Sequence, residues 1–222
     1  PEGNWSFPTG TVWIKHFEIE RTNGVPASAQ RLETRVLVWN TNGGYGVTYR
    51  WGGSTTNATL VPEEGLGETL VVYDPGGLVL RTQVWHYPGR AECLQCHNSV
   101  AGFALGFNSA QLHRDYDYNG TLTNQLLALS HAGYFETNLT SVRTLPALAH
   151  PTNAAVSREY RVRSWLAANC VACHQPGGAQ MSLWDARLHT PGPLTGLIDG
   201  ALVDNFGNAS NRVIAPGDLA RS

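Results

Sequence analysis

The sequence predicts an α+β chain: an N-terminal antiparallel β domain, either a sandwich or an open barrel, followed by a helical cofactor-binding region. Three observations carry that expectation. Apolar and polar residues alternate from Thr11 to Tyr87, with Gly, Asn and Pro clusters between the runs. After Pro88 the composition shifts to small, helix-compatible residues. A cysteine pentapeptide then occurs twice, once just after that shift and once at the end of a second helical stretch.

Taken in order, Thr11–Glu20, Arg31–Trp39, Val47–Trp51, Thr69–Tyr73 and Leu78–Tyr87 read as strands. Asn42-Gly43-Gly44 and Asp74-Pro75-Gly76-Gly77 read as turns that make consecutive strands antiparallel neighbours. Residues 1–88 therefore form the β-rich scaffold domain. Residues 89–150 form a first helical segment, the one that holds the first pentapeptide, in which Thr123–Phe135 reads as an amphipathic helix through Leu126, Leu127, Leu129 and His131. Pro146, Pro151 and Asn153 mark a linker. Ser157 is the N-cap expected for a helix through Tyr160, Trp165 and Leu166 into the second pentapeptide, within a last segment, residues 151–222.

The pentapeptides are Cys93-Leu94-Gln95-Cys96-His97 and Cys170-Val171-Ala172-Cys173-His174, and they use every cysteine in the chain. Cys-x-x-Cys-His reads as the attachment motif of a c-type haem. Cys93, Cys96, Cys170 and Cys173 would bind two covalent haem c groups, with His97 and His174 as proximal iron ligands. A zinc site would account for four cysteines but not for the histidine after each pair. A thioredoxin-like dithiol needs only one pair, and disulfides of this spacing would close tiny loops that brace little chain.

A helix ending in this motif is how a mono-haem cytochrome c domain opens, and Pro176-Gly177-Gly178 suits a loop over one haem edge. The last segment therefore reads as a truncated, C-terminally incomplete cytochrome c-like unit. Phe7-Pro8-Thr9-Gly10-Thr11-Val12, Arg31-Leu32-Glu33-Thr34-Arg35, Trp85-His86-Tyr87-Pro88-Gly89-Arg90-Ala91-Glu92, Asn124-Gln125-Leu126 and Arg212-Val213-Ile214-Ala215-Pro216-Gly217-Asp218 carry a wider resemblance. Across almost the whole chain it resembles exported di-haem c-type cytochrome domains of the kind often fused to quinoprotein sugar dehydrogenase-like propellers. The resemblance implies electron transfer more firmly than any substrate. In such domains a Met-Pro-Pro motif follows the Pro-Gly-Asp segment and its methionine would bind the second haem; this sequence ends at Ser222. Met181, seven positions beyond His174, is expected to pack against a haem edge instead.

The sixth ligand decides between electron transfer and ligand chemistry. For the first haem the candidates are His131, on the helix after the motif, then His16, on a strand, and His86, just ahead of Cys93; His113 is a fourth histidine in reach of that list. For the second haem they are His189 and His150. Any single histidine is more often a hydrogen-bonded or surface residue. Trp85, Tyr87, Phe103, Phe107, Trp165 and Trp184 are candidates to line haem faces, and Arg90 and Arg114 to pair with haem carboxylates. Asp115-Tyr116-Asp117-Tyr118-Asn119-Gly120 lacks the spaced acidic ligands of a calcium loop.

A net charge of −2 and a pI near 6.5 provide no broad field for nucleic acid or an anionic membrane. The longest apolar runs, such as Leu126-Leu127-Ala128-Leu129, are far shorter than the roughly 20 residues of a membrane span. Covalent haem attachment in bacteria is an extracytoplasmic process, so a periplasmic or extracellular location is expected. Three functional expectations follow. The first is a di-haem electron carrier serving a redox partner protein, such as a quinoprotein dehydrogenase domain. The second is a di-haem peroxidase, against which stand the β-rich half and the lack of an acid/base pair. The third is a subunit of a haem-bearing assembly, closed or filamentous, in which neighbours complete the iron sites.

Overall fold

The computed structural model of the chain describes residues 3–179 and 183–222, so Met181 lies outside the described residues. The chain divides into two compact units, Ser6–Asn98 and Ser99–Ser222 with the N-terminal residues to Trp5.

The Ser6–Asn98 unit is the antiparallel β domain. Strands β1 (Val12–Glu20), β2 (Ala29–Asn40), β3 (Gly43–Arg50) and β4 (Thr59–Leu60) form one sheet in that order, and β5 (Leu66–Tyr73) and β6 (Val79–Tyr87) form a second. Turn chemistry fixes the registers. Asn40 Oδ1 accepts from the Asn42 amide at 2.8 Å where β2 turns into β3, and Asp74 Oδ1 accepts from the Leu78 amide at 2.9 Å where β5 turns into β6. A register shift between Phe17 and Glu18 brings Leu32, Glu33 and Thr34 into consecutive buried positions, which strict alternation would not allow. Ile19, Leu32, Val61, Leu70, Val72 and Tyr87 form the core, so both sheets bury residues in it. Helix α1 (Arg90–Cys96) closes this unit and packs on β3.

The helical region expected after residue 88 is not what forms. The chain is mostly β, at 29% strand against 18% helix, and the described residues contain four short α-helices. Helix α2 (Ser109–Leu112), the hairpin β7 (Asp115–Tyr118) and β8 (Thr121–Asn124), α3 (Gln125–His131) and α4 (Arg158–Asn169) make up the regular part of the second unit. The physical reason is the density of left-handed residues. Phe103 has φ 57° and Gly133 φ 78°, and a single left-handed residue ends a right-handed helix. The stretch Thr123–Phe135 is accordingly split: its start is strand, the helix runs seven residues, and Gly133 stops it. Beyond α4 the described residues hold two 3₁₀ turns and two isolated bridge pairs, Ile198 with Ile214 and Ala201 with Arg212, with no second helix. The expected cytochrome c-like unit is therefore not seen.

Buried polar braces do much of the work in this unit. Ser157 caps α4 by accepting from the Tyr160 amide at 3.1 Å. The buried Ser164 hydroxyl accepts from the Ala149 amide at 3.0 Å, and Tyr160 donates to the Ala147 carbonyl at 2.7 Å. Trp5 meets Phe135 edge-on with centroids 5.1 Å apart.

Candidate cofactor sites

The first motif rests on the β unit. Cys93 and Cys96 lie three positions apart on α1 and so share one helix face. The helix start is fixed by Glu92, whose carboxylate accepts from the Gly89 amide at 2.8 Å and meets His86 Nε2 at 2.8 Å. Backbone bonding to Gly89, then His86, holds the Glu92 carboxyl below its usual range. Cys93 packs directly on β3. A Cβ added at Gly46 would stand 2.7 Å from Cys93 Cβ and 2.9 Å from its sulfur, so only glycine admits this approach. Burial pushes the Cys93 thiol up, against the pull of Arg35 and the Thr48 hydroxyl, and keeps it as S–H at neutral pH.

The second motif follows α4, with Cys170 as its C-cap. Burial raises the Cys170 thiol and lowers His174, which favours the neutral imidazole that can bind a metal. The indole of Trp184 stacks on the His174 ring, centroids 4.1 Å apart and planes 21° from parallel. Stacking of this kind covers one face of the ring. The loop behind it is tied by Asp185, which accepts from Arg187 and from Thr190 Oγ1 at 2.7 Å. Burial would raise the Asp185 carboxyl, but these hydrogen bonds outweigh it and hold it low. Arg163 of α4 donates to the carbonyls of Arg187 at 2.8 Å, Leu188 at 3.1 Å and Thr190.

A cavity of about 420 Å³ in the second unit takes Val171 and Ala172 from inside this motif, Ala167 and Ala168 from α4, Ala101, and His189. Its lining is mainly small and apolar, as a flat hydrophobic group would need. The structure thus brings His189 to the cavity that the second motif borders. His150 is exposed, and its Nδ1 meets Thr152 Oγ1 at 2.8 Å in a local turn.

The first-haem candidates are placed differently. His16 pairs in register with Thr34, whereas Arg35 pairs with Thr48 beside Cys93; neighbouring positions point to opposite sheet faces, so His16 and Cys93 are on opposite sides of the sheet. Its Nδ1 meets Thr34 Oγ1 at 2.7 Å, and the same hydroxyl accepts from Trp51 Nε1 at 2.8 Å. His86 stays near the motif but has its Nε2 on Glu92. His131 ends α3 and is exposed, in the other unit. His113 Nδ1 faces the carbonyls of Leu145 at 3.1 Å and Pro146 at 3.2 Å, so Nδ1 carries the proton and Nε2 the lone pair, the tautomer used by metal-binding histidines. Arg90 and Arg114 are exposed.

Sequence reasoning missed Gly46, Arg35 and Thr48; a glycine inside an alternating strand is the signal that marks a close approach. Among the described residues no group of three or more His, Cys, Asp or Glu is placed to hold a metal ion. A haem asks for a different pattern, two thiols and one histidine per motif, and both motifs offer it. Among the described residues no disulfide joins the cysteines, and no helix is long and apolar enough to cross a membrane. No protein-family model, curated protein or solved structure matches the chain.

Proposed function

We propose that this chain is a di-haem c-type cytochrome that transfers electrons outside the cytoplasm. The observation that carries the reading is the pair of complete Cys-x-x-Cys-His motifs, Cys93 to His97 and Cys170 to His174, which together use every cysteine. The geometry supports it: each motif sits at a helix end, both thiols of the first are on one helix face, and partial burial pushes the Cys93 and Cys170 thiols up, towards S–H. Each S–H would add across a vinyl C=C of the porphyrin; one S–C bond forms, the proton goes to the other vinyl carbon, and no electrons change hands. When bound, each iron supplies a reversible one-electron couple. The chain's own residues anchor, orient and exclude water: Gly46 seats Cys93, and Trp184 orients His174.

The resemblance described above points the same way and suggests a quinoprotein dehydrogenase domain as electron donor. The test is expression with export in a bacterium that matures c-type cytochromes. Intact mass should show two attached haems, and a redox titration two one-electron steps without consumption of added hydrogen peroxide. A haem-free mature chain overturns the reading; rapid peroxide turnover by the reduced protein replaces it with the peroxidase.

A further inference from the structure

We infer that Arg35 and Lys15 form the seat for the carboxylates of the porphyrin attached at Cys93, an inference that rests on the haem reading above. Alternation places Lys15, Arg35, Thr48 and Gly46 on one face of the first sheet, because Lys15 pairs with Arg35, Arg35 with Thr48, and Thr48 lies two residues beyond Gly46. Cys93 packs on that face at Gly46. A group anchored there is therefore tethered beside these cations.

The cations converge. The Arg35 guanidinium carbon lies 4.4 Å and Lys15 Nζ 4.7 Å from the centroid of the Phe17 ring. The carboxylate against them, Glu33, is buried and already accepts from Arg35 Nη2 at 2.6 Å and from Trp85 Nε1 at 3.2 Å, so one negative charge faces two positive ones. The ring quadrupole holds both cations without neutralising either. Arg35 Nε and, beside it, Glu33 Oε2 are buried with no hydrogen-bond partner among the described residues, while the Thr48 hydroxyl lies against the Cys93 thiol. Buried donors in proteins are paired, so Arg35 Nε calls for an acceptor oxygen from a bound group. The spacing agrees. Cys93 sits over β3, Arg35 is on β2 one strand spacing away, and Lys15 is on β1 two spacings away, roughly 10 Å. A porphyrin is of that order from its vinyl edge to its carboxylate edge. A guanidinium fork is the side chain best matched to a carboxylate.

The experiment uses the two-haem protein and the variants Arg35→Gln, Lys15→Gln and both together, read by potentiometry and by the propionate-bending bands in resonance Raman spectra. The double variant is expected to keep two haems, to lower the midpoint potential of one because positive charge next to it is lost, and to shift that haem's propionate band. The other haem stays unchanged, and Arg35→Lys restores part of the shift. Unchanged potentials and bands in the double variant overturn the inference. Should Arg35→Gln fail to fold, Lys15→Gln, which alters one exposed ammonium, must still move the same band; no movement there also overturns it. A wild-type chain without haem overturns the proposed function instead, before this inference is reached.

Discussion

Cys93 belongs to a seven-residue helix whose thiol lies flat on a glycine of a β-strand, whereas Cys170 follows a twelve-residue helix and is backed by loops tied together with arginine and aspartate. The first mount is steric: a strand face with one missing side chain. The second is electrostatic and aromatic, made of Arg163, Asp185, Arg187 and the indole on His174. Identical pentapeptides can thus be held by unlike physics, because the attachment chemistry needs only two thiols and one imidazole in local order. The supporting contacts are free to differ.

The largest separation of the two mounts comes from removing the thiols. Cys93→Ser with Cys96→Ser should lower the haem count from two to one, as should Cys170→Ser with Cys173→Ser, each measured by intact mass. If either pair leaves the count unchanged, that motif does not carry a haem. Next is Gly46→Val, which must push on Cys93 Cβ and Sγ. Overpacking of this kind costs about 3 kcal/mol. It should lower the stability of the β unit and the occupancy of the first motif while the second motif stays loaded. Equal loss at both motifs would show that the steric account of the first is wrong.

These mounts were legible in the sequence to different degrees. The motifs themselves were plain, since Cys-x-x-Cys-His is local. The β domain was also legible, because alternation along Thr11–Glu20 or Arg31–Trp39 and turns such as Asp74-Pro75-Gly76-Gly77 are local signals too. The hairpin at Asp115–Asn124 has a local signal in its Asn119-Gly120 turn, where φ is 55° and 90°, but Asp115–Tyr118 is exposed throughout, so no buried face marks the strand. The helical region failed for a physical reason: single left-handed residues such as Phe103 are not announced by residue type, and each cuts a helix. The seat at Gly46 needs a pairing between residues 47 positions apart, and no window along the chain contains it.

Arg163→Ala tests the electrostatic mount. Three carbonyls lose a charged donor, an effect of about 2 kcal/mol on melting of the second unit, and His189, on the loop they brace, should become more mobile by hydrogen exchange or NMR. The β unit should be unaffected. Acid adds a sharper contrast within the same loop. The Asp185 carboxyl is held below its ordinary value in the folded state, so its contribution is fully present above the unfolded carboxylate pKa of about 3.9 and disappears as pH falls through the depressed value. Asp185→Asn should lower stability at neutral pH and flatten the acid limb of the melting curve below about pH 4. An acid limb as steep as the wild type's would mean that other carboxylates, such as Glu68 held low by Arg50, dominate it.

The smallest expected effect is at Trp184. Its stack on His174 is worth about 1 kcal/mol, so Trp184→Ala should barely change haem content or melting. What it removes is the constraint on the imbidazole plane, and ring orientation affects an axial ligand's field at iron. The variant should therefore broaden or shift the electron paramagnetic resonance signal of the second haem while the first keeps its own. A Trp184→Phe change, which retains an aromatic face, should restore most of the wild-type spectrum. If alanine and phenylalanine behave alike, the indole is packing rather than positioning, and the two mounts differ only in how they hold the chain, not in how they hold the histidine.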